Sequence, residues 1–157
     1  MICSIDDDAI PKKDWLEKIV KYYNTHRNEK IGAIGGVVYD EQGTELQFKH
    51  GYIGIWGEVN QISEVNKNFN DPKGYYFNTI IGVNSCYNRK ALLEIGGFDE
   101  EIEYQHEESD VCIRLIKAGY KVVGVPDAIV FHKFAPSPIR DKDKNFTDWN
   151  KIAKNSI

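Results

Sequence analysis

The stretch that most constrains this chain is its start, where an apolar run, Ile2 to Ile5, ends in three consecutive carboxylates, Asp6, Asp7 and Asp8. Pro11 comes next, at a place where a helix start tolerates proline, and helical periodicity begins just after it. The order reads as a buried strand, an acidic turn at its carboxyl end, then a helix. In open α/β sheets that end of a strand is where ligands bind. Two readings of the triplet stand. Adjacent acids repel one another unless a cation or a set of donors offsets them, and oxygen ligands suit a hard divalent ion such as Mg²⁺ or Mn²⁺. Alternatively, the acids are a solvated turn that favours the N-terminus of the next helix.

The rest of the chain keeps an α/β alternation. Lys12 to Arg27 carries an apolar stripe at Trp15, Leu16, Ile19, Val20 and Tyr23. Ile31 to Tyr39 is apolar, β-branched and glycine-rich, the mark of a central strand. Glu45 to Trp56 predicts one or two short strands broken at Gly51 and Gly54, and Glu58 to Tyr75 a long loop. Thr79 to Tyr87 reads as a strand and Arg89 to Ile95 as a short helix stopped by Gly96-Gly97. A second clear helix runs from Glu107 to Ala118, with Val111, Cys112, Leu115 and Ile116 as its buried stripe and Gly119 as its stop. Tyr120 to Val125 and Ala128 to Phe131 predict two strands around a Pro126-Asp127 turn, ending at His132. Residues 1–134 form the folded unit on this reading, and 135–157 a polar surface tail, with a short helix near Trp149.

Composition excludes some functions. The 157 residues suit one domain, and a net charge of −4 gives no nucleic-acid footprint. The cysteines, Cys3, Cys86 and Cys112, are odd in number and widely spaced, so neither a zinc site nor a disulfide framework is indicated, and a reducing compartment is expected. No apolar run reaches membrane-spanning length.

A second acidic group surrounds the start of the second helix: Glu100, Glu101, Glu103, Glu107, Glu108 and Asp110. A helix N-terminus favours carboxylates, and Asp110 stands four residues before Arg114, the spacing of an ordinary ion pair. A carboxylate there, near a metal-bound phosphate, is also placed to act as a general base. His132, at a strand end, reads either as a structural hydrogen-bonder or as a metal ligand that completes a shell begun by Asp8.

Four blocks, in order, resemble family 2 glycosyltransferases. Ile5-Asp6-Asp7-Asp8-Ala9-Ile10-Pro11 through Leu16 resembles the family's Asp-x-Asp segment. Gly82 through Glu100 resembles the stretch ahead of its catalytic acid, and His106-Glu107-Glu108-Ser109-Asp110 through Leu115 the acidic helix start. Ala118 through Ala128, with Val130-Phe131-His132, resembles its last strands. Tyr39-Asp40 through Gly51 is similar to members that build bacterial surface polysaccharides. The resemblance implies a Rossmann-like nucleotide-sugar transferase (GT-A) fold, a mixed sheet flanked by helices, and inverting, metal-assisted transfer of a sugar from a nucleotide diphosphate to an acceptor hydroxyl. It implies Asp8, Asp6 and His132 as holders of Mn²⁺ or Mg²⁺, and Asp6, Asp7 and Asn84 as donor contacts. Glu108 falls where the family usually places an aspartate base; Glu107 and Asp110 are the alternatives.

The same resemblance implies a nucleotide-binding half ahead of the Asp-x-Asp strand, built of βαβ units of about 30 residues or more each. The chain starts at that strand, so that half is expected to be missing, with weak or no activity from this chain alone. The open sheet edge would then invite a homodimer. The expected partners are a nucleotide-sugar donor and a glycan or lipid-linked acceptor, met in the cytoplasm at the inner face of the membrane by peripheral association. Two other readings carry different chemistry: a non-catalytic remnant that binds a glycan or partner, and a phosphohydrolase using the Asp cluster.

Overall fold

A computed structural model describes residues 1–102 and 106–135. It is a mixed α/β structure, as expected. The main sheet has the order β1 (Ile2–Ser4), β8 (Ser85–Tyr87), β3 (Ile31–Asp40), β9 (Lys121–His132), β2 (Ala9–Pro11), with β4 (Leu46–Phe48) also paired to β3. A second sheet of three antiparallel strands joins β6 (Val59–Ile62), β5 (His50–Gly54) and β7 (Tyr76–Thr79). Three α-helices accompany the sheets among the described residues: α1 (Trp15–Thr25), α2 (Arg89–Glu94) and α3 (Glu107–Lys117). No helix among the described residues is long and apolar enough to cross a membrane.

β3 is the central strand that its composition predicts, buried over its first eight residues. One face of the sheet packs Ile34 and Val38 with Trp15 and Ile19 of α1. The other packs Ala33 and Tyr87 with Val111, Cys112, Leu115 and Ile116 of α3. The α3 stripe is therefore the one read from the sequence, and Gly119, at φ 83°, ends the helix in the left-handed conformation glycine permits. Asn88 caps α2, its side-chain oxygen accepting from the Lys90 and Ala91 N–H groups.

Several expectations need correction. β1 is not buried: it is an edge strand, paired within the described residues only to β8, and Ile2 is 44% exposed. On α1 the inward stripe is Trp15, Ile19, Tyr22 and Tyr23, while Leu16 and Val20 face outward at 52% and 46% exposure. The acidic turn leads first into β2, which pairs antiparallel with the end of β9, and only then into α1. The expected loop 58–75 contains β6 and a 3₁₀ turn, Lys67–Asn70. The expected strand Thr79–Tyr87 is interrupted by a second 3₁₀ turn, Gly82–Asn84. The tail 136–157, with its helix near Trp149, and Glu103 lie outside the described residues.

Pro126-Asp127 does not divide two strands. β9 is continuous, and the extra residues bulge: between Gly35↔Gly124 and Val37↔Ile129, two steps along β3 are matched by five along β9. Asn84 enters the fold at this irregularity. Its amide Nδ2 donates to the Val37 carbonyl at 3.0 Å and the Ala128 carbonyl at 2.9 Å, and its Oδ1 accepts from Trp15 Nε1 at 2.8 Å. Gly36 makes the room: a Cβ there would stand 2.1 Å from the Ala128 oxygen and 2.4 Å from Asn84 Nδ2. Removing the Asn84 amide strands two carbonyls and an indole N–H at a fully buried site. Asn84→Ala is expected to cost on the order of 3 kcal/mol in chemical denaturation, with the main loss seen as a lower midpoint rather than a changed slope.

Candidate functional site

The acidic loop is fixed by pairing at the far end of β9. Ala9 lies opposite His132 across β2 and β9, while Asp40 of β3 pairs with His132 on its other side. The Lys133 N–H donates to the Asp8 carbonyl at 3.1 Å, and the Ala135 N–H to Asp8 Oδ2 at 2.7 Å. The loop itself is closed by the Ala9 N–H on the Asp6 carbonyl at 3.1 Å. These bonds bring Asp6, Asp8 and His132 together, each offering one ligand atom, all within 4.8 Å of one another. His132 is buried, Asp8 half-buried and Asp6 exposed. Asp7 is exposed to solvent and stands outside this group.

The hydrogen bonds of His132 set which ring nitrogen faces the acids. Gln47 Nε2 donates to the His132 carbonyl at 3.1 Å, which turns Gln47 Oε1 toward His132 Nδ1 at 3.0 Å. An amide oxygen only accepts, so Nδ1 carries a proton. In neutral imidazole Nε2 is then a lone pair, and it faces Asp8 Oδ1 at 3.1 Å. Two lone pairs in contact need a positive charge, supplied either by a second ring proton or by a cation shared with the carboxylates. Two carboxylates and an imidazole with its second nitrogen held by an amide oxygen are a donor set that fits a divalent cation.

A cavity of about 300 Å³ lies against β1 and β8. Asp6 and Ser4 line it from the acidic loop and β1, Ser85 and Tyr87 from β8, and Glu107 and Glu108 from the start of α3. Asp6 thus borders both the cluster and the cavity. Glu108 Oε1 accepts from the Gly82 N–H at 2.8 Å, while Glu108 Oε2 and Glu107 Oε2 are buried with no hydrogen-bond partner. Burial, with the adjacent Glu107 carboxylate adding repulsion, pushes the Glu108 carboxyl up to about 7.

Two of the residues read from the sequence as site groups are elsewhere. Asn84, expected to contact the donor, is fully buried, and all three of its hydrogen bonds serve the core, so its amide is a structural bridge. Asp110 pairs with Arg114, whose Nη1 also donates to the Ile95 and Gly97 carbonyls at 2.8 and 2.7 Å. It lines a separate cavity with His106, Phe77 and Lys117, away from Glu107 and Glu108. Conversely, Gln47 and the Gly82 N–H had no signal in the sequence: a lone Gln in a short strand and a backbone donor in a 3₁₀ turn acquire their roles only through tertiary contacts.

The buried Glu108 carboxyl gives a stability test. Its pKa is raised in the folded chain, so its favourable contribution is complete below about pH 4.5 and is lost as pH rises through about 7. Glu108→Gln keeps an acceptor for Gly82 and removes the buried charge. It is expected to match the parent chain at acid pH and to exceed it by roughly 2 kcal/mol above neutrality, in urea titrations run across pH.

Comparison with known proteins places these features in context. The family model for glycosyl transferase family group 2 matches residues 1–149. The glucosyl-dolichyl phosphate glucuronosyltransferase of Haloferax volcanii is 30% identical over 141 residues, which cover 85% of this chain and 42% of that protein. The chain therefore spans less than half the length of this curated relative.

Proposed function

Because the chain belongs to glycosyl transferase family group 2, we propose that the cavity between Asp6 and Glu108 is the place where a sugar passes from a nucleotide-diphosphate donor to an acceptor hydroxyl, with inversion. The observation that carries this reading is the arrangement of one cavity. Asp6, an acid of the Asp6–Asp8–His132 cluster, and Glu108, with one buried, unpartnered carboxylate oxygen, line the same cavity. Inversion needs the attacking hydroxyl and the leaving diphosphate on opposite faces of the sugar. Groups serving the two must therefore face each other across a single space.

Asp6, Asp8 and His132 would hold a divalent ion, Mn²⁺ or Mg²⁺, which when bound offsets charge developing on the diphosphate. Gln47 keeps the His132 ring in the tautomer that presents Nε2. Glu108 acts as the general base. The acceptor oxygen forms its bond to the anomeric carbon as the bond to the diphosphate oxygen breaks. The hydroxyl proton passes to Glu108, and the bonding pair leaves with the diphosphate. A base near pH 7 is well matched to that task, since it is ionised enough to accept and basic enough to pull. Glu107 keeps Glu108 basic by its proximity. Asp7, at the exposed turn, is a donor contact. The acceptor is a lipid-linked saccharide, met by peripheral association on the cytoplasmic side of the membrane. What favours this acceptor class is the Haloferax relative, named for a glucosyl-dolichyl phosphate substrate.

Calorimetry with Mn²⁺ and nucleoside diphosphates tests the reading. The expected result is Mn²⁺-dependent binding that Asp8→Ala abolishes and that Gln47→Ala weakens about tenfold. Absence of any Mn²⁺-dependent heat would count decisively against the reading. In transfer assays, Glu108→Gln is expected to keep donor binding and lose at least about a hundredfold in turnover. The parent rate is expected to rise with pH through about 7 and level off above it, tracking ionisation of Glu108. An active Glu108→Gln variant would remove Glu108 from the role of base.

A further inference from the structure

The cysteines hold a pairing that their spacing conceals. β1 and β8 run antiparallel with Ile2 opposite Tyr87, Cys3 opposite Cys86 and Ser4 opposite Ser85. Directly opposed residues in such a ladder have Cα atoms about 4.5 to 5.5 Å apart and side chains on the same face. That separation lies within the range of about 4.4 to 6.8 Å that a disulfide bridges. The two side chains share one face of the ladder and pack in the same core cluster. Cys3 is half-buried at the sheet edge and Cys86 is fully buried behind it. Cys112 belongs to α3 and packs in the cluster on the opposite face of the sheet from Cys86.

We propose that Cys3 and Cys86 are a dithiol that closes to an intramolecular disulfide across the β1–β8 ladder when a small disulfide oxidant, such as oxidised glutathione, reaches the sheet edge. The geometry divides the labour. Cys3, half-buried at the edge, is the sulfur an oxidant can reach, and its thiol is lowered to about 7 beside Cys86, while the Cys3 sulfur and burial push the Cys86 thiol up. The Cys3 thiolate attacks one sulfur of the oxidant. The oxidant's S–S bond breaks, one glutathione leaves as thiolate, and Cys3 carries the other as a mixed disulfide. Cys86 then gives up its proton to solvent and attacks the Cys3 sulfur, which releases the second glutathione. Two protein thiols are oxidised and one glutathione disulfide is reduced to two thiols. The link ties β1, the strand that runs into the Asp6–Asp8 loop, to β8, which pairs with the central strand β3. Oxidation thereby fixes the edge strand that positions Asp6. This inference stands independently of the transferase reading.

The test uses the whole chain, incubated with oxidised glutathione at neutral pH, alkylated under denaturing conditions and mapped by peptide mass spectrometry. The expected result is loss of two of the three thiols, with the Cys3 peptide joined to the Cys86 peptide and Cys112 recovered alkylated. Cys112→Ser should form the same link, and the rate of Cys3 loss should rise with pH through about 7. Cys3→Ser should leave Cys86 free, and Cys3→Ala serves if that variant does not fold. A Cys3–glutathione adduct that persists without resolving would overturn the proposal. So would an unreacted Cys3, or a bridge that includes Cys112.

Discussion

The structure depends on one buried amide. β9 must run beside β3 for most of its length and also deliver His132 beside the acidic loop, and the surplus residues around Pro126-Asp127 stand in the way of regular pairing. Asn84 resolves this. It donates to one carbonyl on each strand where the register slips, and it accepts from Trp15 of the helix packed over them. Three elements are fastened by one side chain with nothing left unsatisfied. A buried polar network of this kind specifies a single arrangement because any displacement strands several groups at once. Gly36 is the other half of the device, since any side chain there would occupy the space the amide needs.

Beyond the bulge, register places the acidic cluster. β9 pairs with β3 from Val37↔Ile129 to Asp40↔His132, and β2 joins its other side from Pro11↔Val130 to Ala9↔His132. His132 is therefore held between two strands, and the carboxylate of Asp8 reaches it because β2 begins one residue later. A one-residue slip of β2 would turn its side chains to the other face and move the acids away from the imidazole. The short strand β2 thus does little for the core. Its value is positional.

This explains which parts of the chain were legible in its sequence. β3 and α3 were, because their apolar periodicity is long and uninterrupted, and the glycines after α2 and α3 end those helices where they stand. The two acidic groups were visible as residues, and the meeting of Asp8 with His132 was one of two readings of a histidine at a strand end. β2, β6 and β7 were not visible, because short strands without an apolar run of their own are made by their partners rather than by local pattern. Asn84 entered the site only through the resemblance, as a donor contact, and no local pattern announced its partners in the fold, two carbonyls and an indole from three other elements. The Cys3–Cys86 contact was invisible for the same cause, since only strand pairing makes residues so far apart in the chain neighbours.

The glutamate at position 108 obeys the same logic of position over type. Where the family resemblance leads one to expect an aspartate, the longer side chain has to be held if its carboxylate is to keep one orientation, since each added torsion costs conformational entropy to fix. The 3₁₀ turn ahead of β8 supplies the restraint through the Gly82 N–H, which engages one carboxylate oxygen and leaves the other unpartnered. That turn ends in Asn84, the residue that joins the two long strands. The amide that sets the register carrying His132 therefore also anchors the turn that restrains Glu108. In the proposed mechanism, the two sides of the cavity are kept at a fixed separation by one core residue that touches neither substrate.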